Sequence, residues 1–452
     1  MSVRLLELIS SSLVQIDLAE VEVTKARHCV TFDDLMNIYR EDLLVTQSFE
    51  DCMAVCLAFH TSVKLEGEPL WMYLVGAPSS GKSTICELLC ADEHNTRPLS
   101  KFTGLVSGSR QGQHLIPFLQ NKCVIVKDGT LLLESTPQQL ANVYGELRDI
   151  FDGSLEAKYR NGVSASFSNI TFGMIIGITE RIYALQMAAL GERFLHCRLE
   201  TTRETETERN ATAIRRILSG CKLSVAQGND EGDARSFPKQ RQYTAGFINH
   251  LHSRLANEDI IKPNFTDEDC LLIQAISDVV ACSRANAPRK SDREEITYDS
   301  RPEASTRLCK LFSKLALCLC YVYGTNKITK DITRILLKVA LDTSRSRQFD
   351  ILKAITLSAN GLNKQAVAVS TEVPLETLTR KIEDLRSMKV IGQEKEANRQ
   401  GQGRRNHVLT CPAWVTNSFR RTFKTLNGLS DDHASSERKT VPSPVRRRVS
   451  TV

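Results

Sequence analysis

Apolar residues follow two rhythms along this chain. At 70–75, 122–127 ("KCVIVK") and 171–178 ("TFGMIIGI") they form short, nearly unbroken runs, the pattern of parallel strands buried on both faces. Between the runs they recur at helical spacing, at 49–62 ("FEDCMAVCLAFHTS"), from 82 onward, at about 113–119 and at 137–150. Strands alternating with helices predict an α/β core, a parallel sheet with helices on both faces. From about 203 to 345 the helical rhythm continues alone, as in "DEDCLLIQAISDVVACSRA" and "ASTRLCKLFSKLALCLCYVYG", broken by polar connectors at 224–238 and 286–302. The first 48 residues read as a short helical segment. Glu7 and Asp17 interrupt its apolar pattern, which argues against a secretory leader. No apolar run reaches the roughly 18 to 20 residues of a membrane span.

Two segments keep a different beat. Runs at 155–160 and 163–168 alternate around Asn161-Gly162, the signature of a tight β-hairpin. That alternation puts Lys158 and Arg160 on one face near the tip, where they either track nucleic acid through a pore or decorate a solvated ribbon. Toward the end, residues 346–427 read as helix, short helix, turn, longer helix and β-ribbon. Pro374 opens the longer helix, with Leu375, Leu378, Ile382 and Leu385 at helical spacing. Val390-Ile391 and Val408-Leu409 pair across a polar loop. This is a winged-helix pattern. Its recognition helix would present Thr377, Arg380, Lys381 and Arg386 to a DNA groove, and Arg399, Arg404 and Arg405 of the wing would contact phosphates. The alternative is a winged helix used for protein contact or ring packing. Residues 428–452 are polar, with proline and serine, and read as a disordered tail.

Composition alters this picture at two points. A hydrophobic content of 41% with 25% charged residues is that of a soluble globular protein, here expected in the cytoplasm. The net charge of +6 is unevenly placed: from Arg386 onward fourteen lysines and arginines face five acids, a local +9, and the rest of the chain is slightly acidic. Basicity gathered at one end points to a polyanionic partner. Fourteen cysteines raise the question of a metal or disulfide framework. Cys52 and Cys56, Cys86 and Cys90, and Cys318 and Cys320 fall inside apolar helical patterns with no paired CxxC, so they read as buried reduced thiols.

The chemistry centres on "WMYLVGAPSSGKSTICELL". Gly76-Ala77-Pro78-Ser79-Ser80-Gly81-Lys82-Ser83 satisfies the spacing G-x-x-x-x-G-K-[ST] between an apolar strand and a helix that Thr84 continues. Glycines let backbone N–H groups turn toward a phosphate chain, Lys82 would neutralise the β- and γ-phosphates of ATP, and Ser83 would ligate Mg2+. Asp128, closing "CVIV", is the second metal candidate, or else the cap of a turn before Gly129. Many motor ATPases place a water-orienting glutamate directly after this acid. Gly129 stands there, leaving Glu134, Asp149 or Asp152 as alternatives. Thr179 ends "GMIIGI" and either senses the γ-phosphate or simply closes a strand. Arg193, in "GERF", is a candidate cation for the phosphate of a neighbouring subunit, or the partner of Glu180 or Glu192 in a salt bridge.

Taken in order, "LWMYLVGAPSSGKST", "VIVKDGTLLL", "ELRDIFDGSLEAKY", "MIIGITE" and "MAALGERFLHCRL" resemble the AAA+-type P-loop ATPases of bacterial phages and integrative elements, akin to superfamily 3 and minichromosome-maintenance-like helicases. The resemblance covers roughly residues 50 to 200. It implies a nucleotide-dependent ring, a hexamer favoured, that acts on DNA, with a replication protein as a further partner. It also implies a helical lid in which Arg307, of "TRL", contacts the γ-phosphate in a second sensor role. The expected organisation is an N-terminal helical segment (1–48), a P-loop ATPase core (49–202), a helical lid (203–345), a winged-helix DNA-binding domain (346–427) and a basic tail (428–452). The function expected is that of an ATP-driven, helicase-like motor in mobile-element replication. The alternatives are a nucleotide-gated loader or regulator that recruits a partner to DNA without unwinding it, and a defence ATPase that remodels a partner.

Overall fold

The computed structural model describes residues 29–100, 114–158, 161–184, 193–220, 237–256, 263–285, 287, 301–359, 361–395 and 407–439. Over its described residues the chain divides into two compact units. The first comprises Met1–Phe265, Thr306–Ile328 and Lys338–Arg345, and the second Thr266–Ser305, Thr329–Leu337 and Ser346–Val452. The stretch 203–345, expected as one lid, is thus shared between them.

In chain order the elements begin with α1 (Phe32–Asp42), α2 (Gln47–Ser62), β1 (Trp71–Val75), α3 (Lys82–Leu89), β2 (Thr96–Leu99), α4 (Ile116–Leu119) and β3 (Cys123–Val126). Next come α5 (Thr130–Glu134), α6 (Pro137–Phe151), β4 (Ser154–Lys158), β5 (Ser164–Ser168), β6 (Gly173–Ile178), a 3-10 turn (Glu180–Ala184) and β7 (Phe194–Arg198). Helices α7 (Arg203–Gly220), α8 (Pro238–Ala256), α9 (Asp267–Arg284), α10 (Thr306–Tyr323) and α11 (Lys330–Ser344) follow. The last elements are α12 (Arg347–Leu357), α13 (Lys364–Thr371), α14 (Leu375–Ser387), β8 (Gly392–Lys395), β9 (His407–Thr410) and α15 (Ala413–Lys439).

The first unit is built on a parallel sheet of order β2-β3-β6-β1-β7. The expected α/β class is therefore the one adopted. Every residue of β1, β3 and β6 is buried, which is why these strands carry unbroken apolar runs instead of alternation. Strand β2 ("TRPL") was not expected. It is a short edge strand whose two central residues are exposed, and Pro98 lacks the N–H that an interior strand would need. Helix α2 packs on β6 and β7 and against α8 and α10. It is buried without a break from Asp51 to Ser62, and Thr46 caps it by accepting the Phe49 N–H at 3.2 Å. Its last turn carries His60, whose Nε2 meets Thr96 Oγ1 at 2.9 Å and whose Nδ1 lies 3.4 Å from Nε2 of His252 on α8. Helix α6 starts from a capping box, Thr136 with Gln139. Strands β4 and β5 form a separate antiparallel ribbon, as the Asn-Gly turn predicts.

In the second unit α9 packs against α12 and α15, α13 lies on α12, and α14 lies on α13. Strands β8 and β9 pair antiparallel, and Leu362 adds an isolated bridge to Leu409. Val367, Leu378, Leu385 and Val390 are fully buried. The first ribbon strand starts at Gly392, two residues later than expected, because Val390 and Ile391 are used as core. Asp278 of α9 accepts hydroxyls from Ser305 at 2.6 Å and from Ser418 of α15 at 3.0 Å.

Candidate functional site

The register of the sheet brings three sequence features to one edge. Val75 of β1 pairs with Ile178 of β6, and Ile176 of β6 pairs with Val126 of β3. The loop after β1, Thr179 after β6 and Asp128 after β3 therefore leave the carboxyl ends of three adjacent strands, at about 4.8 Å per strand. Open α/β sheets bind their ligands at this edge.

The loop from Gly76 to Gly81 wraps tightly. Gly76 is buried, and a Cβ there would lie 2.8 Å from Ser80 Oγ and 3.1 Å from the Leu199 carbonyl oxygen, so a larger residue would force both to shift. Gly81 has φ +98° and Ser79 φ +60°, left-handed conformations that turn successive amides. Ala77, Pro78, Ser79 and Ser83 are exposed, while Ser80 is buried. Lys82 opens α3 and folds back, its Nζ donating to the carbonyls of Gly76 at 2.8 Å and Ala77 at 2.6 Å, with Ser80 Oγ at 3.4 Å. Burial holds its ammonium below the ordinary lysine value, and Cys86, Asp128 and Glu180 pull it back up. A cation ringed by carbonyls, a turned loop and a helix N-terminus is a cradle suited to a phosphate chain.

Asp128 accepts the Thr130 amide at 2.9 Å and the Thr130 hydroxyl, and these two bonds hold its carboxyl below the usual range. The turn-capping reading of Asp128 is thus realised in the structure. Its carboxylate is exposed at the same edge of the sheet, and the charge of Lys82 adds a smaller downward pull on it. Gly129 is closed to any side chain: a Cβ would lie 2.7 Å from Ile176 Cγ2, and its amide is bonded to the Gly177 carbonyl at 2.7 Å. The motor-type glutamate has no room here.

Thr179 holds a buried hydroxyl with no hydrogen-bond partner among the described residues. An orphaned polar group beside this loop fits a sensing role, since it lacks the internal partner a structural threonine would have. Beside it stands Glu180, expected from the sequence only as a possible salt-bridge partner of Arg193. Glu180 takes the guanidinium of Arg198 instead, from both Nε and a terminal nitrogen at 2.7 Å. Arg198 is level with Val75, so the pair spans the end of β1. The signal for it was legible as an acid directly after the strand of Thr179 and an arginine ending "FLHCR".

The remaining candidates lie elsewhere. Arg193 precedes Phe194, which pairs with Trp71 at the amino-terminal start of β1. It is buried and donates to Asp152 at 2.8 Å, its guanidinium 5.5 Å from the centroid of Phe151. Six strand positions, roughly 20 Å, separate this point from Gly76, so Arg193 does not reach its own subunit's loop. Arg307 lies at the same edge, 3.9 Å from Asp152 and 6.0 Å from the Phe151 centroid. At that edge Arg307, like Arg193, does not reach the loop of its own chain, where a γ-phosphate contact in the second sensor role was the expectation. Asp152, and Asp149 one turn before it, end α6 at this far edge and are removed as candidates for orienting water.

Lys158 ends β4 on the exposed face of the ribbon, but Glu156 shares that face and approaches it to 4.0 Å, opposite Ser164 and Ser166. Arg160, Arg399, Arg404 and Arg405 lie outside the described residues. On α14, Arg380 and Arg386 are exposed, but so are Glu376 and Glu383, and Lys381 is half-buried, 4.0 Å from the buried Asp384. The helix surface is therefore mixed in charge, not uniformly basic.

No helix among the described residues is long and apolar enough to cross a membrane. No protein-family model and no curated protein matches this chain. Among solved structures, the chain is similar to the apo A form of the C-terminal region (305–718) of NrS-1, at 12% identity over 84% of this chain and 74% of that one, with a TM-score of 0.23. A likeness at that score carries no weight for fold or activity, and the case for function rests on this chain's own geometry.

Proposed function

We propose that this chain is an AAA+-type P-loop ATPase that works on DNA as a ring. The observation that carries the reading is the meeting of the Gly76–Ser83 loop, Asp128 and Thr179 at the carboxyl ends of three neighbouring strands, with the Thr179 strand in the middle. In this reading Lys82 exchanges the carbonyls of Gly76 and Ala77 for β- and γ-phosphate oxygens, and the α3 N-terminus faces the same charge. Ser83 and Asp128 would hold Mg2+, which supplies charge neutralisation across the phosphates when bound. Arg193 sits at the far edge, which suits contact with a neighbour's nucleotide in a head-to-tail ring. The order α12, α13, α14, β8, β9 supports a winged helix in the second unit, and the basic C-terminal end supplies the charge for DNA.

One observation favours the second reading, a loader or regulator that does not unwind. The described face of the β4–β5 ribbon is serine-lined, and Lys158 shares it with Glu156, a weak surface for gripping a strand in a pore. The deciding experiment is ATP turnover without DNA, with single-stranded DNA and with duplex DNA, followed by strand displacement on a forked substrate. Turnover with displacement is expected of a motor. DNA-stimulated turnover without displacement supports the loader, and absence of nucleotide turnover under all conditions rejects the ATPase.

A further inference from the structure

We propose that Glu180 is the carboxylate that orients and deprotonates the attacking water, and that Arg198 holds it in reserve until nucleotide arrives; this rests on the ATPase reading above. The need for such a group follows from Gly129, whose surroundings exclude the glutamate that motor ATPases place after the metal-binding acid. Asp149 and Asp152 are removed by their position at the opposite edge of the sheet. The acids that then follow the carboxyl ends of the central strands are Glu134, at the end of α5 after β3, and Glu180, after β6, and the group sought must stand at the root of the loop.

Glu180 meets that requirement. It directly follows Thr179 and lies two positions past Ile178, which is level with Val75 at the root of the loop. Strands β6 and β7 flank β1 on opposite sides, so the Glu180–Arg198 pair closes across the start of the loop where Gly76 leaves β1. Both contacts between Arg198 and Glu180 fall on Oε1 of the glutamate, whose Oε2 makes no hydrogen bond among the described residues, and the remaining terminal nitrogen of Arg198 lies 3.5 Å from Glu200. The glutamate side chain is 46% exposed and that of Arg198 22%, so a water can reach the carboxylate, and the backbone of Arg198 is anchored while its guanidinium is left to turn. The Arg198 amide donates to Asp342 at 2.7 Å, and its carbonyl accepts Lys338 Nζ at 2.7 Å.

A γ-phosphate entering beside Lys82 brings negative charge to the place where Arg198 now serves Glu180. Arg198 turns toward that charge, and Glu180 is released to accept a hydrogen bond from water. The water oxygen then attacks the γ-phosphorus as the bond to the β–γ bridging oxygen breaks. The electron pair leaves with ADP, and the water proton passes to Glu180 and from there to the departing phosphate.

The test uses the full chain and three measurements: ATP turnover, affinity for a fluorescent non-hydrolysable ATP analogue, and melting temperature. Glu180→Gln keeps the shape of the side chain and its bond to Arg198. It should lose about 10²- to 10⁴-fold in turnover, the usual contribution of a positioned base, while analogue affinity stays within about threefold and the melting temperature holds. Arg198→Ala should lose less turnover than Glu180→Gln, because the base survives. The proposal is overturned if Glu180→Gln turns over like wild type, if Glu134→Gln is the variant that loses turnover, or if Glu180→Gln and Arg198→Ala lose turnover and affinity equally, as a merely structural ion pair would. Should Glu180→Gln fail to fold, Glu180→Asp replaces it, with partial turnover expected and wild-type turnover overturning the role. Failure of the underlying reading looks different: the wild type itself binds no analogue, and Lys82→Ala changes nothing.

Discussion

Arg193 and Asp152 meet at 2.8 Å at the amino-terminal edge of the sheet, with the ring of Phe151 beneath the guanidinium. Trp71 packs edge-on against that ring at 5.0 Å, which fixes the whole cluster at the start of β1, away from the loop at its end. The carboxylate of the pair is half exposed, whereas the arginine side chain itself is 9% exposed.

That geometry sharpens a test of action between subunits. Lys82→Ala and Arg193→Ala should each abolish turnover alone, since comparable fingers contribute about 10³ to 10⁵ in rate. Mixed in one ring they should regain turnover, because an intact Lys82 then faces an intact Arg193. If subunits exchange and no mixture exceeds either variant, Arg193 is a structural partner of Asp152 only.

Metal and nucleotide roles separate at Asp128. Lys82→Ala should remove turnover with little change in melting temperature, since its hydrogen bonds among the described residues all fall on the loop it serves. Asp128→Asn retains a group able to accept from Thr130, so the turn should persist. Mg2+-dependent turnover should fall more than metal-free nucleotide binding. Equal loss of both would reduce Asp128 to its turn.

The carboxyl edge tolerates no added carbon at two glycines. A Cβ at Gly177 would lie 2.6 Å from the Lys127 carbonyl oxygen, and one at Gly129 would lie 2.7 Å from Ile176 Cγ2. Gly177→Ala should therefore push β3 away from β6, destabilising by about 1–3 kcal/mol and moving Asp128 with it, so turnover falls as well. Gly129→Glu should be destabilised similarly and gain no activity. Denaturant unfolding beside turnover checks both, and a stable, faster Gly129→Glu would contradict the packing described.

His60 and His252 give the first unit a defined acid sensitivity. Burial lowers His252 to about 4, with Lys64 adding to the effect and Asp92 opposing it, and burial with His252 alongside lowers His60 well below its ordinary value. Both pKa values are depressed on folding. Their contribution is therefore present above the unfolded value near 6.5 and is lost as pH falls from there toward 4. For His252 alone this amounts to at most about 3 kcal/mol. Unfolding followed from pH 7 to 4 should show this slope, and His252→Gln should flatten it. An unchanged slope in the variant would falsify the assignment.

The legible parts were those where local pattern and burial agree. The runs at β1, β3 and β6 are apolar on both faces because helices cover both sides, and the loop's glycines announce its turns. Strand β2 was hidden because an edge strand need not be apolar, and Pro98 spoke against it. Arg307 was misplaced for another reason. Helical spacing shows that α10 is buried, but not which edge of the sheet its first turn meets, and Asp152 decides that. Glu180 and Arg198 were legible only as separate letters. Strand order brings them together, and no spacing along the chain encodes the order β6-β1-β7.

Helix α2 has a consequence for every variant above. Its backbone is enclosed from Asp51 to Ser62 by β6, β7, α8 and α10, so its amide hydrogens can exchange with solvent only when the first unit opens as a whole. Deuterium uptake along α2 therefore reports the free energy of that global opening. Uptake in the first turn of α3, where the loop enters the helix, reports a local event. A substitution that speeds exchange at α3 and leaves α2 slow has altered the loop alone, and one that speeds both has loosened the fold.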